Sequence, residues 1–246
     1  MNILVYVVVL IAFVIAALAA TRARSIALRD LPAYVAMPMV VGEAVETGRS
    51  VHMSFGSSAI RDTSTLSAIA SAEVLYYLAE RSALSDRPTL VTVSDPVTLG
   101  LGQDTMRRAY KARGVLNKYS PTKSRWYPEG RMSLAFAAGA GAAMLDENAA
   151  SNITLGRFGP ELMLIAENAV RYDRRVLAQS DQIDGQAVAF AVSEVPLIGE
   201  ELYTGAAYLS QTPFNIGTVV AQDVLRYLVV AFIIGLFFLA IFGMGF

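Results

Sequence analysis

Apolar residues divide this chain into three parts. A long uninterrupted run lies at each end, Ile3 to Ala20 (ILVYVVVLIAFVIAALAA) and Tyr227 to Phe246 (YLVVAFIIGLFFLAIFGMGF), with no charge inside either. Between them the pattern switches repeatedly between two periods. Short apolar runs such as Arg49 to Phe55 (RSVHMSF), Thr89 to Val93 (TLVTV) and Asn152 to Leu155 (NITL) have the length of buried strands. They alternate with longer segments whose apolar residues recur every three or four positions. Leu66, Ile69, Ala70, Val74, Leu75 and Leu78 form such a series, the signature of a helix with one buried side.

Taken in order, Leu31 to Glu46 reads as a short helix that Gly48 stops in the left-handed conformation. The strand at Arg49 to Phe55 runs into Gly56-Ser57-Ser58, and a helix follows to about Arg81. After the strand at Thr89 to Val93, Ser94-Asp95-Pro96 caps a helix that ends at Gly114. A weaker third strand falls around Ser124 to Tyr127, before the apolar helix Met132 to Leu145 (MSLAFAAGAGAAML). That helix is too short for a span and reads as buried, its alanines and glycines permitting close backbone approach within the domain or between subunits. The strand at Asn152 to Leu155 leads through Gly156-Arg157-Phe158-Gly159-Pro160-Glu161 into a helix reaching about Arg171, with Pro160 at its first position. Arg175 to Gln179 and Gln186 to Val192 read as the last strands, and Pro196 to Gln211 as the last helix before the closing run.

Strands alternating with helices in this way predict an α/β fold, a Rossmann-like mostly parallel sheet with helices on both faces. The termini add N- and C-terminal transmembrane helices, because twenty helical residues rise about 30 Å, the thickness of a bilayer's hydrocarbon core. The expected division is a transmembrane helix over 1–21, the α/β domain over 22–217, and a juxtamembrane segment with the second transmembrane helix over 218–246. Arg22, Arg24 and Arg29 follow the first run and Arg226 precedes the second, so positive-inside reasoning predicts a two-pass membrane protein with its α/β domain on the cytoplasmic side. Ala17-Leu18-Ala19 resembles a signal-peptide cleavage site, but the positively charged region that precedes such a signal is missing.

Composition narrows the chemistry. With 20 Lys and Arg against 21 Asp and Glu, no basic surplus points to nucleic acid. The chain has no cysteine and one histidine, His52, which excludes disulfides, thiolate zinc sites, iron–sulfur clusters and a multi-histidine metal site. No complete P-loop, dinucleotide fingerprint or G-x-S-x-G elbow is present. The basic cluster Arg107, Arg108, Lys111, Arg113, Lys118, Lys123 and Arg125 reads first as solvated surface and second as a contact for anionic lipid headgroups. Two loops suit an anion. Gly56, Ser57 and Ser58 end a strand ahead of a helix, and Arg157 and Gly159 stand in the corresponding loop later in the chain. His52 reads as a satisfied strand residue rather than a catalytic base, and Asp62 would oppose a phosphate.

The runs LIGEELYTGAAYLS (Leu197 to Ser210), GRFGPELMLIAEN (Gly156 to Asn168) and GEAVETGRSVHMSFGSS (Gly42 to Ser58) resemble a family of prokaryotic membrane-associated proteins known only as a domain of unknown function. The resemblance covers most of Leu31 to Asp223 and implies an α/β domain held by terminal helices. It implies no activity, cofactor or site residue. The leading expectation is therefore a non-enzymatic, membrane-anchored scaffold subunit that meets membrane lipids and assembles with copies of itself or with other membrane-protein subunits. The alternative is a tethered binding domain, possibly an enzyme, for a nucleotide or other anionic small molecule.

Overall fold

Strand β1 (Val51–Gly56), buried at every position, is the centre of a five-stranded sheet in which each pairing is parallel. The structure is a computed structural model that describes residues 3–23, 26–130 and 133–241. On one side of β1 lie β2 (Leu90–Val93) and β3 (Ser124–Trp126), on the other β4 (Ser151–Arg157) and β5 (Arg175–Ser180), giving the order β3-β2-β1-β4-β5. The chain divides into two compact units, Asp30–Leu209 with the sheet, and Met1–Arg29 with Ser210–Phe246.

Alternation along the central strands sends their side chains to opposite faces. Val51, Met53 and Phe55 of β1, Val91 and Val93 of β2, and Ile153 and Leu155 of β4 enter one apolar core. Helices α2 (Pro32–Glu46), α3 (Thr65–Ser82) and α4 (Pro96–Ala112) close that core from above. α4 starts as its sequence requires, with Pro96 in the first turn and the Asp95 carboxylate accepting the Thr98 N–H at 2.8 Å. Helices α5 (Leu134–Asp146), α6 (Leu162–Arg171) and α7 (Ile183–Val192) cover the opposite face, where Val176 and Ala178 of β5 join their apolar residues. Tyr34 of α2 stacks on Tyr208 of the short α8 (Gly205–Ser210) and donates to the Glu201 carbonyl at 2.9 Å, which holds the end of the unit against its beginning.

The sheet and its two helical layers follow the sequence pattern, but three stretches differ from it, one being the expected helix Pro196 to Gln211, which is a 3₁₀ helix at Gly199–Thr204 followed by the six residues of α8. Gln186–Val192 lies in helix α7, not in a strand. A seven-residue apolar run does not distinguish strand from helix, and alanine-rich QAVAFAV favours the helix. Pro160 and Glu161 form a turn ahead of α6, so proline is outside the helix rather than first in it. The expected helix start at Met132 and the last residues of the closing run, 242–246, lie outside the described residues.

In the second unit, α1 (Ile3–Ala20) lies along α9 (Pro213–Ile241), with Gly217 seated so closely on the Ala16–Ala20 backbone that a side chain there would collide. Asp223 and Arg226 pair at 3.6 Å. Two flanking transmembrane helices are not what this unit presents. Among the described residues one helix, Pro213–Ile241, is long and apolar enough to cross a membrane. The 18 residues of α1 rise about 27 Å, short of the roughly 30 Å of a hydrocarbon core. The two-pass topology, and the cytoplasmic placement inferred from it, is thereby corrected to one candidate span.

Gly56 and Gly156 fix where β1 and β4 end. Gly56 takes φ +60°, and a Cβ on it would run into the Arg157 carbonyl oxygen; one on Gly156 would lie 2.5 Å from the Phe55 carbonyl oxygen. Gly56→Ala should therefore cost about 3 kcal/mol or more of stability. Gly48→Ala, at φ +64° with open space around it, should cost only about 1 kcal/mol. Urea unfolding of the full chain in neutral detergent, followed through the sole tryptophan, Trp126, measures both.

Candidate functional site

Because β1 and β4 are neighbours while α3 and α6 depart to opposite faces of the sheet, the loops that follow these two strands part at the carboxyl edge. This is the switch point at which open α/β sheets form their ligand crevice. Gly56, Ser57, Ser58, Arg157 and Gly159 all lie here, so the topology brings the five expected residues together.

Their donors are spent on one another and on near neighbours. The Ser57 N–H donates to the Arg157 carbonyl at 2.8 Å, and the Ser58 N–H to the Phe55 carbonyl at 3.2 Å. The Ser58 hydroxyl oxygen accepts the Arg157 N–H at 2.8 Å, and the Glu161 carboxylate accepts the Gly159 N–H at 2.8 Å. The Arg157 guanidinium reaches Asp62 and Asp181, each at 3.3 Å, and the Thr63 hydroxyl at 2.8 Å. Asp181 in turn accepts from Ser67 at 2.7 Å, and Ser67 meets the Tyr203 hydroxyl at 3.2 Å. Hydrogen bonds from the Ser64 hydroxyl and N–H, reinforced by the Arg157 charge, hold the Asp62 carboxyl below its ordinary range. One guanidinium thus ties together the segments after β1, β4 and β5.

In the sequence, Asp62 read only as an opponent of phosphate. Asp181 and Ser67 gave no signal there, because their partners lie as far as 136 residues away. Beside the network is a cleft of about 470 Å³, with Ser57, Gly159, Glu161 and Gln182 on one wall and Leu134 and Leu164 among its apolar residues. Among the described residues no group of three or more His, Asp or Glu could hold a metal ion.

Beneath α5 the sheet face is polar. His52 is fully buried, its Nδ1 2.7 Å from Asn152 Oδ1 and its Nε2 2.9 Å from the Thr92 hydroxyl. Asn152 Oδ1 can only accept, so Nδ1 carries the ring proton and Thr92 donates to Nε2. Asn152 Nδ2 and the Thr154 hydroxyl on this face have no hydrogen-bond partner among the described residues. Burial pushes the His52 pKa down to about 4; the Asn152 hydrogen bond opposes this shift and the Arg125 charge adds to it. Arg125 and Lys123 converge on Glu147 at the end of α5, the lysine at 2.6 Å. Burial raises the Glu147 pKa, but the hydrogen bond and charge of Lys123 and the charge of Arg125 outweigh it and leave the group below its ordinary range. The basic cluster is thus partly consumed within the domain, Arg108 by Asp104 and Arg113 by Glu80.

The outer helix faces differ in polarity, and on the side of α2, α3 and α4 only α4 is strongly charged, since α2 exposes Val35 and Met39 and α3 exposes Leu66 and Ile69. α4 turns Asp104, Arg107, Arg108 and Lys111 to solvent. On the other side α5 exposes Leu134, Ala135, Ala138 and Ala142, and α7 exposes Ala187, Phe190 and Ala191 between its ends. α6, which packs against both, exposes Met163, Leu164 and Val170 with one ion pair, Glu167 with Arg171 at 2.7 Å.

A neutral buried His52 makes stability depend on pH. Its folded pKa lies below the unfolded value near 6.5, so the unfolded chain binds the extra proton between those values and stability falls with pH in that window. From pH 7 to pH 5, above the carboxylate range, the loss should be about 2 kcal/mol. Urea unfolding at the two pH values should show it in the natural chain, and His52→Gln should remove it.

No match is found among curated proteins, and no solved structure matches the chain. A family model matches residues 1–246, and the chain belongs to that family, described as Domain of unknown function (DUF6754).

Proposed function

We propose that this chain is a non-enzymatic assembly subunit, anchored to a membrane by α9, whose α/β domain pairs with a second copy through the outer face of α5, α6 and α7. The observation that carries the reading is the outer face of α5, α6 and α7 itself. It presents alanines, Val170 and Phe190 with a single ion pair in the middle helix.

Size and charge both favour a second copy as the occupant. Helices of 13, 10 and 10 residues span about 15 to 20 Å, and three of them side by side about 27 Å. The plan area is then roughly 450 Å², more than half of the ~800 Å² that each partner of a stable pair buries, before side-chain relief is added. A two-fold axis crossing α6 midway between Glu167 and Arg171, near the end of the helix, would set Glu167 of each copy against Arg171 of the other, so the polar pair exchanges partners without an unpaired charge. Ala138 and Ala142 offer no bulk to keep the copies apart. The exposed α9 run from Tyr227 onward supports the membrane anchor.

Light scattering on the full chain in neutral detergent should give a dimer. Ala138→Arg and Phe190→Glu should each weaken it by about tenfold or more, and Glu167→Arg should do the same through like-charge contact. The double change Glu167→Arg with Arg171→Glu should restore it. A dimer indifferent to all of these would overturn the reading.

A further inference from the structure

We infer that the corner where α3 and α4 end is a docking surface for an anionic lipid bilayer, with Leu84 and Leu116 as its apolar centre and arginines and lysines around them. Charge is unevenly distributed along this chain. Seven of its 20 Lys and Arg fall between Thr105 and Pro128, where there is no Asp or Glu, leaving 13 for the rest of the chain against all 21 carboxylates. Glu147 takes Lys123 and Arg125, and the other five stand at or near the end of α4.

The ends of the two helices are held together there. The Arg113 guanidinium donates to the Glu80 carbonyl at 3.2 Å and pairs with its carboxylate at 3.4 Å, and Lys118 Nζ donates to the Leu84 carbonyl at 3.4 Å. Leu116 opens the 3₁₀ turn Leu116–Lys118, so the lysine bond brings it to the same corner as Leu84. Both leucines are left in water, Leu84 at 60% exposure and Leu116 at 41%. Three residues before Leu84, Arg81 lies over the Tyr77 ring at 4.5 Å. Arg108 pairs with Asp104, but Arg107 and Lys111 have no ion-pair partner among the described residues, which include every Asp and Glu of the chain. Counted with Arg81, six cations face three carboxylates, Glu73, Glu80 and Asp104, while the adjacent Asp86 and Arg87 cancel. Charge complementarity sets the sign of the partner, and the leucines set its kind. A soluble polyanion makes no use of two exposed leucines. A bilayer takes apolar side chains into the boundary below its headgroups, while the longer lysine and arginine chains stay among the phosphates. The corner is on the α3–α4 side of the sheet, opposite the α5–α7 face, so lipid contact and pairing do not compete.

The full chain held in phosphatidylcholine nanodiscs, mixed with sucrose-loaded vesicles and spun, tests this. It should sediment about tenfold or more strongly with vesicles containing about one-third phosphatidylserine than with phosphatidylcholine vesicles. The double change Arg107→Glu with Lys111→Glu, at exposed and unpaired positions, should remove that preference and leave the fold intact. Leu116→Ser should weaken binding by about fivefold or more. Because the chain has no cysteine, Leu116→Cys carries a single environment-sensitive dye, which should shift to the blue on the mixed vesicles only. The same dye at Asp184→Cys, on α7, should not respond. Equal binding to both kinds of vesicle, no blue shift at position 116, indifference to the charge reversal, or an equally tight complex with heparin would each overturn the inference.

Discussion

The contact between β1 and β4 is the constraint on which the rest of the domain depends. Strands that are a hundred residues apart in sequence are brought side by side, and their ends approach so closely that only glycine serves at Gly56 and Gly156. With β1 central, β2 and β3 extend the sheet one way and β4 and β5 the other, and α3 and α6 leave for opposite faces. The parting loops make the crevice. Arg157 then spans the gap from its far side, holding Asp62 after β1 and Asp181 after β5. A guanidinium about one-fifth exposed between two carboxylates is tied more firmly than a surface pair, yet it remains close enough to water to avoid the full desolvation cost of a buried charge.

The same arrangement decides what the two loops can offer a ligand. A loop after a parallel strand ordinarily offers free amides to an anion. Here the chain closes each amide onto a carbonyl, a hydroxyl or a carboxylate, and closes the arginine onto two aspartates. The residue types that suggest an anion site in the sequence are therefore present and adjacent, but their donor capacity is consumed.

Periodicity made the sheet and most helices legible, because strand length, glycine stops and the Asp95-Pro96 cap are local signals. The exceptions have local causes too. The QAVAFAV run of α7 is too short for either period to dominate, and Pro160 initiates a turn as readily as a helix. The terminal runs were legible as apolar but not as a pair of spans, since crossing a membrane needs length as well as hydropathy. Of the site, sequence located the loops at Gly56–Ser58 and Arg157–Gly159. It could not say that Asp62 and Asp181 would occupy Arg157, because that pairing exists only once β1, β4 and β5 stand in order.

α5 joins the inner and outer halves of this structure. The face beneath it carries His52, Asn152, Thr92 and Thr154, groups that cannot be left facing water-sized gaps without cost, so the helix must lie close to the sheet. Small residues let it do so. Gly141 leaves room for the Asn168 amide of α6, and Gly139 for the Tyr127 ring. Yet a helix built of alanine and glycine to meet those neighbours has nothing polar to present outward, and Ala135, Ala138 and Ala142 reach the surface bare. A solvent-facing helix could have placed lysine or glutamate at those positions without disturbing the inner face, as α4 does at Asp104, Arg107 and Lys111. The inner fit therefore explains the glycines but not the outer alanines. The outer alanines, together with Ala187, Phe190 and Ala191 on α7, are what the proposed pairing would cover.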